Sequence, residues 1–272
     1  MIIMMISQGG ICCFADKRAL KGTLLENIQF FQPTRFMGVT RIYEKIEEGI
    51  KNKGRDTKGL KRIIVDWAKN QALHHHQQEE SGKAHSSLGY LLARKLILSK
   101  VHEALGLSHA VPHGFAIGAA AVSPETVKFF LSLDMKLLEM IAMTETTAFV
   151  ELCNTPEPGE FRIGRVGREY PDQCEVKIIN KDEVERKNIF FFYNIFQTGA
   201  GEMLCRSRAV CMGYLNSKDK TLETIDNDGW LHTGDQYELN IAFHMTHDNI
   251  NQSQHSIRCK MTVLTNQNTP CR

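Results

Sequence analysis

Apolar positions fall at helical spacing through much of the first half of this chain and in short strand-like runs through the second. From Thr40 onward Ile42, Ile46 and Ile50 lie four apart, which places them on one face of a helix. Leu20 to Phe31 predicts an earlier helix stopped by Pro33, and Leu88 to Leu107 a long amphipathic one closed by Gly106. Between these, Arg35–Val39 and Phe115–Ala120 read as short strands. Gly9-Gly10-Ile11-Cys12-Cys13-Phe14-Ala15 reads as a turn into a short buried strand. Ser123-Pro124-Glu125 supplies a helix cap followed by an N1 proline.

The alternation of strand and helix predicts an α/β fold, with right-handed crossovers and a mainly parallel sheet. Past Glu145, runs such as Glu175–Ile179 and Glu202–Cys205 predict a smaller antiparallel β lobe. Beyond Ile241 the chain is rich in Asn, Gln, Thr and His without a sustained period, the composition of loop or disorder. Three regions are therefore expected: an α/β lobe over 1–148, a β-rich lobe over 149–240, and a polar tail over 241–272.

Composition narrows the function classes. A formal charge of +2 gives no polyanion signal and argues against nucleic acid as partner. No apolar run approaches the ~20 residues that span a bilayer. Met1–Ile6 is apolar, but it is too short for a signal-peptide core and lacks a basic lead. The eight cysteines show no paired ligand spacing and read as reduced thiols, which places the chain on the cytosolic side. Residues 51–62 carry six Lys and Arg; they read as a solvated loop, with a membrane or anionic-ligand patch as the alternative. His74-His75-His76 cannot share one helical face, which argues against a metal site there.

Candidate chemistry gathers at strand ends. Gly118-Ala119-Ala120 closes a strand in small residues, where a flat ring can approach the backbone; tight helix–sheet packing is the plain alternative. Met140-Ile141-Ala142-Met143-Thr144-Glu145-Thr146 follows at a second strand end. There a hydroxyl beside a carboxylate suits a phosphate oxygen and Mg2+, a hard cation that takes oxygen ligands. The alternative is a capped helix start. Asp228-Gly229-Trp230-Leu231-His232-Thr233-Gly234-Asp235 joins a turn, an aromatic anchor and two acidic ends. A carboxylate after glycine can offer both oxygens to a vicinal diol, each charge-assisted bond being worth roughly 1.5–3 kcal/mol. An Asp-Gly hairpin with a buried Trp is the structural reading.

The order of these pieces, with Gly201-Glu202 and Gly213-Tyr214 between them, resembles the AMP-forming ligase superfamily. Ala19–Leu24 and Pro33–Ile46, with Gly213–Asn216 and Asp219–Thr221, resemble the long-chain fatty acid–CoA ligases of the bubblegum type, over roughly residues 1–240. The resemblance implies a partial adenylate-forming domain. In that family, ATP and a fatty acid form an acyl-adenylate with Mg2+, and coenzyme A then displaces AMP. It also implies that Met140, Ile141, Ala142, Met143, Thr144 and Glu145 contact AMP. Thr144 would touch the α-phosphate and Glu145 the magnesium as the catalytic pair, Asp235 would hold the ribose, and Gly118, Ala119 and Ala120 would flank adenine.

Departures from the family pattern are equally specific. Ile141-Ala142 replaces an aromatic-Gly pair, removing a ring that stacks on adenine and costing about 1–3 kcal/mol by analogy with base stacking. Thr40 and Ala121 stand where proline is usual, and Asp172 and Ser207 where glycine is. The family's phosphate loop lies upstream of Met1. Ile250 is near the place of the hinge arginine, and neither Arg258 nor Lys260 has the family context. The resemblance thus implies a member truncated at both ends, impaired in adenylation and cytoplasmic or peripheral to the endoplasmic reticulum membrane. A non-catalytic nucleotide- or partner-binding role, paired with a full-length relative, is the alternative.

Overall fold

The computed structural model describes residues 9–15, 17–83, 86–111, 114–147, 150–153, 161–169, 174–179, 199–241 and 259–263. Met1–Ile6, Asp172, Ile250, Arg258 and most of the expected polar tail lie outside them. Within 241–272, Ile241 and Cys259–Val263 are described, and both are strand. The chain forms two compact units: Met1–Leu138 with Pro156–Ile163, and Glu139–Thr155 with Gly164–Arg272.

In the first unit a 3-10 turn over Ala19–Lys21 leads into α1 (Leu24–Phe31), which ends at Gln32. β1 (Phe36–Val39) passes directly into α2 (Thr40–Gly54). α3 (Leu60–Glu80) and α4 (Leu88–Ala93) follow; a π-helical turn over Arg94–Leu98 joins α4 to α5 (Ser99–Leu105). β2 (Phe115–Gly118) and α6 (Pro124–Ser132) complete this unit's order, and β3 (Leu137–Ala142) begins at its end and continues as the first strand of the second unit. β1 pairs parallel with β2, Phe36 opposite Phe115 and Val39 opposite Gly118. With β3 the three strands make the parallel sheet, flanked by helices.

The core of this unit is apolar and centred on Tyr43, Phe115, Ile117, Val127, Phe130 and Leu137. The stripe of Ile42, Ile46 and Ile50 is half-buried, while the wholly buried side of α2 runs one residue later through Tyr43 and Glu47. Ser123 caps α6 as its sequence indicates, its Oγ accepting from Thr126 N–H at 3.0 Å.

One expectation fails. Residues 9–15 form no strand, and Ile11 and Phe14 are 91% and 71% exposed. An isolated apolar run becomes a strand only when a neighbouring edge satisfies its backbone, and no described strand pairs with it.

Buried polar residues form a network that the sequence does not advertise. Glu79 accepts from His76 Nδ1 at 2.8 Å and pairs with Lys136 at 3.1 Å. His76 Nε2 reaches Asp134 at 3.0 Å, and Asp134 also takes Tyr90 OH at 2.8 Å and Arg94 Nε at 3.1 Å. His75 stacks on the Tyr90 ring at 3.8 Å. Burial pushes the Glu79 carboxyl up, but hydrogen bonds from His76 and Lys136 and their charge outweigh it and hold the pKa at about 2.

The second unit is antiparallel. β3 pairs with β4 (Val150–Cys153) and β4 with β5 (Arg165–Glu169). β6 (Cys174–Ile179), β7 (Gly199–Ser207), β8 (Leu231–Ile241) and β9 (Cys259–Val263) continue it, in the order β5-β9-β8-β7-β6. A short helix, α7 (Lys218–Thr224), interrupts the run between β7 and β8. Gly201 packs β7 onto β6: a Cβ there would lie 2.2 Å from the Ile179 carbonyl oxygen, so no side chain fits.

Candidate nucleotide site

β2 ends in Gly118, and the chain then turns through Ala119 and Ala120, both exposed. Ala119 has φ +71°, a left-handed conformation that costs a non-glycine residue about 1–2 kcal/mol. Two side chains of α2 hold the strand ends beneath it. The buried Thr40 hydroxyl donates to the Ala120 carbonyl at 2.7 Å. Tyr43 OH lies 3.1 Å from the Phe36 carbonyl oxygen and 3.2 Å from that of Ala116, bridging β1 and β2. Burial pushes the Tyr43 phenol far up, so it serves as a neutral donor. Thr40, which departs from the family's proline, therefore carries a structural hydrogen bond that a proline lacks.

Met140, Ile141 and Ala142 form the end of β3, with Ile141 opposite Leu152 and a bulge before Ala142. No helix follows. Thr144 to Thr147 make a turn closed by Thr147 N–H on the Thr144 carbonyl at 3.0 Å, and the buried Thr146 hydroxyl donates to the Met143 carbonyl at 3.0 Å. The helix-cap alternative is thereby replaced by a turn. Thr144 is exposed at its tip and Glu145 is half-buried. The Glu145 carbonyl accepts from Cys211 N–H at 2.6 Å, and its Oε1 accepts from Tyr214 OH at 2.7 Å. Two separate sequence motifs, Thr-Glu and Gly-Tyr, thus meet in three dimensions.

The octet opens as the Asp-Gly hairpin of the structural reading. Asp226 Oδ1 accepts from Asp228 N–H and Trp230 N–H at 3.0 and 2.8 Å, and Gly229 N–H donates to the Asp226 carbonyl. The Trp230 ring carries Lys177 Nζ at 3.9 Å and Arg206 Cζ at 4.6 Å from its centroid, and Arg206 is in turn paired to Glu175 at 2.7 Å. Asp228-Gly229-Trp230 is therefore an anchor held by cation–π contacts.

The far end of the octet differs. β7 and β8 pair at Leu204–His232 and again at Glu202–Gln236. One residue, Met203, consequently faces three: Thr233, Gly234 and Asp235. Such a bulge takes side chains out of the ladder and re-aims them. Thr233 Oγ donates to the Met203 carbonyl at 2.8 Å and accepts from Asp235 N–H at 3.2 Å. Gly234, at φ +73°, turns its N–H onto Glu202 Oε1 at 3.0 Å. Asp235 is exposed, and its carboxyl accepts no hydrogen bond among the described residues. Partial desolvation of that carboxyl, then the negative charge of Glu202, raise its pKa above the ordinary aspartate value. Glu202 was visible in the sequence only as a strand residue; its role in shaping the bulge depends on register.

The two turns share one anchor. Met143, just before Thr144, packs on a cluster of Cys174, Cys205 and Leu231, and Leu231 begins the strand that delivers Asp235. Thr144, Glu145 and Asp235 thus stand on the second unit, and Gly118, Ala119 and Ala120 on the first. Glu145 suits a magnesium ion in one respect. Oε1 is held by Tyr214 while the other carboxylate oxygen accepts no hydrogen bond among the described residues, and Mg2+ commonly takes one or two carboxylates beside substrate phosphates.

A family profile described as AMP-binding enzyme matches residues 1–215. The chain belongs to this family. Among curated members, it is 36% identical over 230 residues to the long-chain-fatty-acid–CoA ligase ACSBG2 of Gallus gallus, covering 85% of this chain and 28% of that one. It is 35% identical over 234 residues to ACSBG1 of Mus musculus, covering 86% and 30%. The resemblance to bubblegum-type ligases is borne out, and the chain spans about 30% of the length of those relatives. Among solved structures, the A domain of a carboxylic acid reductase from Segniliparus rugosus, in complex with AMP and a co-purified carboxylic acid, aligns with TM-score 0.52 at 20% identity, over 87% of this chain and 30% of that one. The anthranilate CoA ligase AuaEII, in complex with anthranoyl-AMP, aligns with TM-score 0.50 at 17% identity, over 85% and 33%. Both likenesses are of fold.

Proposed function

We propose that this chain grips the AMP half of a fatty acyl-adenylate and belongs functionally to ATP-dependent long-chain fatty acid–CoA ligation. In the reaction proposed, a fatty acid carboxylate attacks the α-phosphorus of ATP and pyrophosphate leaves. The thiol of coenzyme A then attacks the acyl carbon and AMP leaves. The observation that carries the reading is the β7–β8 bulge, which presents an Asp235 carboxylate that accepts no hydrogen bond among the described residues, from the same small core that carries Thr144 and Glu145.

Each residue has a defined part. Asp235 accepts the two ribose hydroxyls, and Thr144 donates its hydroxyl to an α-phosphate oxygen. Glu145, oriented by Tyr214, offers its open carboxylate oxygen to the metal. A bound Mg2+ would neutralise phosphate charge. Met140, Ile141, Ala142 and Met143 form the wall beside AMP; Gly118, Ala119 and Ala120, on the first unit, are the adenine-flanking positions that the family resemblance implies. Adenylation places charge on the phosphate oxygens, so its rate depends on preorganised donors and cations. A radiolabelled fatty acid assay with ATP, Mg2+ and coenzyme A tests the activity: acyl-CoA formation lost in Glu145→Gln supports it.

A second reading is favoured by one observation. Ile141, opposite Leu152, offers an aliphatic side chain where a stacking ring belongs, so the adenine grip is weakened. On that reading the chain binds nucleotide or a full-length relative without turnover. Calorimetric heat with AMP in the absence of acyl-CoA formation identifies it. Among the described residues no helix is long and apolar enough to cross a membrane. The proposed location is cytoplasmic, with peripheral contact at the endoplasmic reticulum.

A further inference from the structure

The N-terminal half of α3 is turned outward. Leu60, Ile63, Ile64 and Trp67 are 78%, 65%, 47% and 40% exposed. Their spacing of three, one and three residues puts them on a single stripe of the helix. The cause lies in how α3 packs. It meets α4 and the following π-turn through Ala68, Ala72 and Ala93, with Tyr90 and Leu98. Small residues at that seam let the helices approach closely and leave the larger side chains on their shoulders outside. Leu88, Leu92 and Leu96 are exposed on the partner segment in the same way.

Charge marks what this face meets. Residues 51–69 hold seven Lys and Arg against two Asp, a surplus of five in a chain whose total is +2. The six cations of 51–62 fall in the last turn of α2, a five-residue connection and the first turn of α3, so the segment is a loop only over 55–59, and Lys69 lies two turns further along α3. Lys51 pairs with Glu47 and Arg62 with Asp66. Lys53, Arg55, Lys58 and Lys61 are exposed and make no ion pair among the described residues. An apolar helical stripe with a tryptophan, beginning at a cluster of uncompensated cations, fits a surface that is anionic at the headgroups and apolar beneath them.

We infer that the start of α3, with the basic segment before it, docks on an anionic lipid bilayer. Leu60, Ile63, Ile64 and Trp67 enter the acyl boundary, while Lys53, Arg55, Lys58 and Lys61 contact lipid phosphates and carboxylates. The inference rests on the peripheral membrane contact proposed above, to which it gives a surface, and is independent of the nucleotide site, because none of these residues belongs to it.

Vesicle sedimentation with the whole chain tests it. Phosphatidylcholine vesicles containing 30% phosphatidylserine should bind at least tenfold more protein than pure phosphatidylcholine, and 0.5 M salt should remove most of that gain. A cationic contact near an anionic leaflet contributes about fivefold in affinity, so Lys58→Glu with Lys61→Glu should lower binding at least tenfold. Ile63→Asn with Ile64→Asn should lower it severalfold at unchanged AMP affinity, since both side chains are exposed. Brominated lipid should quench a fluorescence component that Trp67→Phe abolishes. Equal binding to neutral vesicles, no binding to anionic ones, or wild-type binding by the Lys58/Lys61 variant would overturn the inference. So would a concentration-dependent dimer abolished by Ile63→Asn with Ile64→Asn, because that face would then belong to a second copy.

Discussion

Glu139 is a buried carboxyl in the middle of β3. The alternation of β3 puts it on the same buried side as Leu137, and it is 7% exposed. Its Oε1 has no hydrogen-bond partner among the described residues. Burial pushes its pKa from 4.5 up to about 8, against a small opposing pull from the Gly164 backbone N–H. At pH 7 the native carboxyl therefore holds its proton while the unfolded one does not. The native state binds more protons throughout the window from about 4.5 to 8, so stability falls as pH rises through it and levels off above. Integrated over the window, the shift corresponds to about 4–5 kcal/mol as an upper limit. Glu139→Gln removes the titration and keeps the shape. Urea denaturation of both proteins from pH 5 to 9 isolates the effect. The variant should be within about 1 kcal/mol of wild type at pH 5 and gain on it by about 1.4 kcal/mol per pH unit, flattening above pH 8. A stability difference independent of pH would refute the protonated, buried state of Glu139.

The remaining predictions are local. Asp134→Ala leaves His76 and Arg94 without their shared carboxylate and should cost about 3–5 kcal/mol by denaturant titration, whereas an exposed Asp66→Ala should cost under about 1 kcal/mol. Thr40→Val removes the buried hydrogen bond to the Ala120 carbonyl and should cost about 1–3 kcal/mol. Ala119→Gly relieves a left-handed alanine and should be neutral or stabilising by about 1 kcal/mol in the same assay.

Local pattern made much of this legible. The four-residue spacing in α2, the Ser123-Pro124 start of α6 and the turn at Asp228-Gly229 depend on neighbours in sequence, and each is found where the pattern puts it. The Leu88–Leu107 helix was legible in extent but not in its π-turn, which is a backbone adjustment at the packed seam. What stayed hidden depends on distant partners. His75 and His76 share a buried side with Glu79 only because Asp134 and Lys136, nearly sixty residues later, complete the charge balance. The Met203 bulge follows from register between β7 and β8, which no single stretch of sequence records. The apolar run at 9–15 shows the converse, a local pattern without the partner that would have made it a strand.

Calorimetric titration of AMP into wild type and Asp235→Ala decides whether the bulge is a nucleotide site. Loss of the carboxylate should weaken AMP by roughly 1.5–3 kcal/mol, about ten- to a hundredfold, with the melting temperature barely changed because Asp235 is exposed. Wild-type affinity should also fall with acidification beginning above the ordinary aspartate pKa, since the raised carboxyl gains its proton earlier and loses its acceptor charge, and Asp235→Ala should lack that fall. Equal AMP affinity in the two proteins would contradict the ribose assignment and, with it, the proposed nucleotide-binding function.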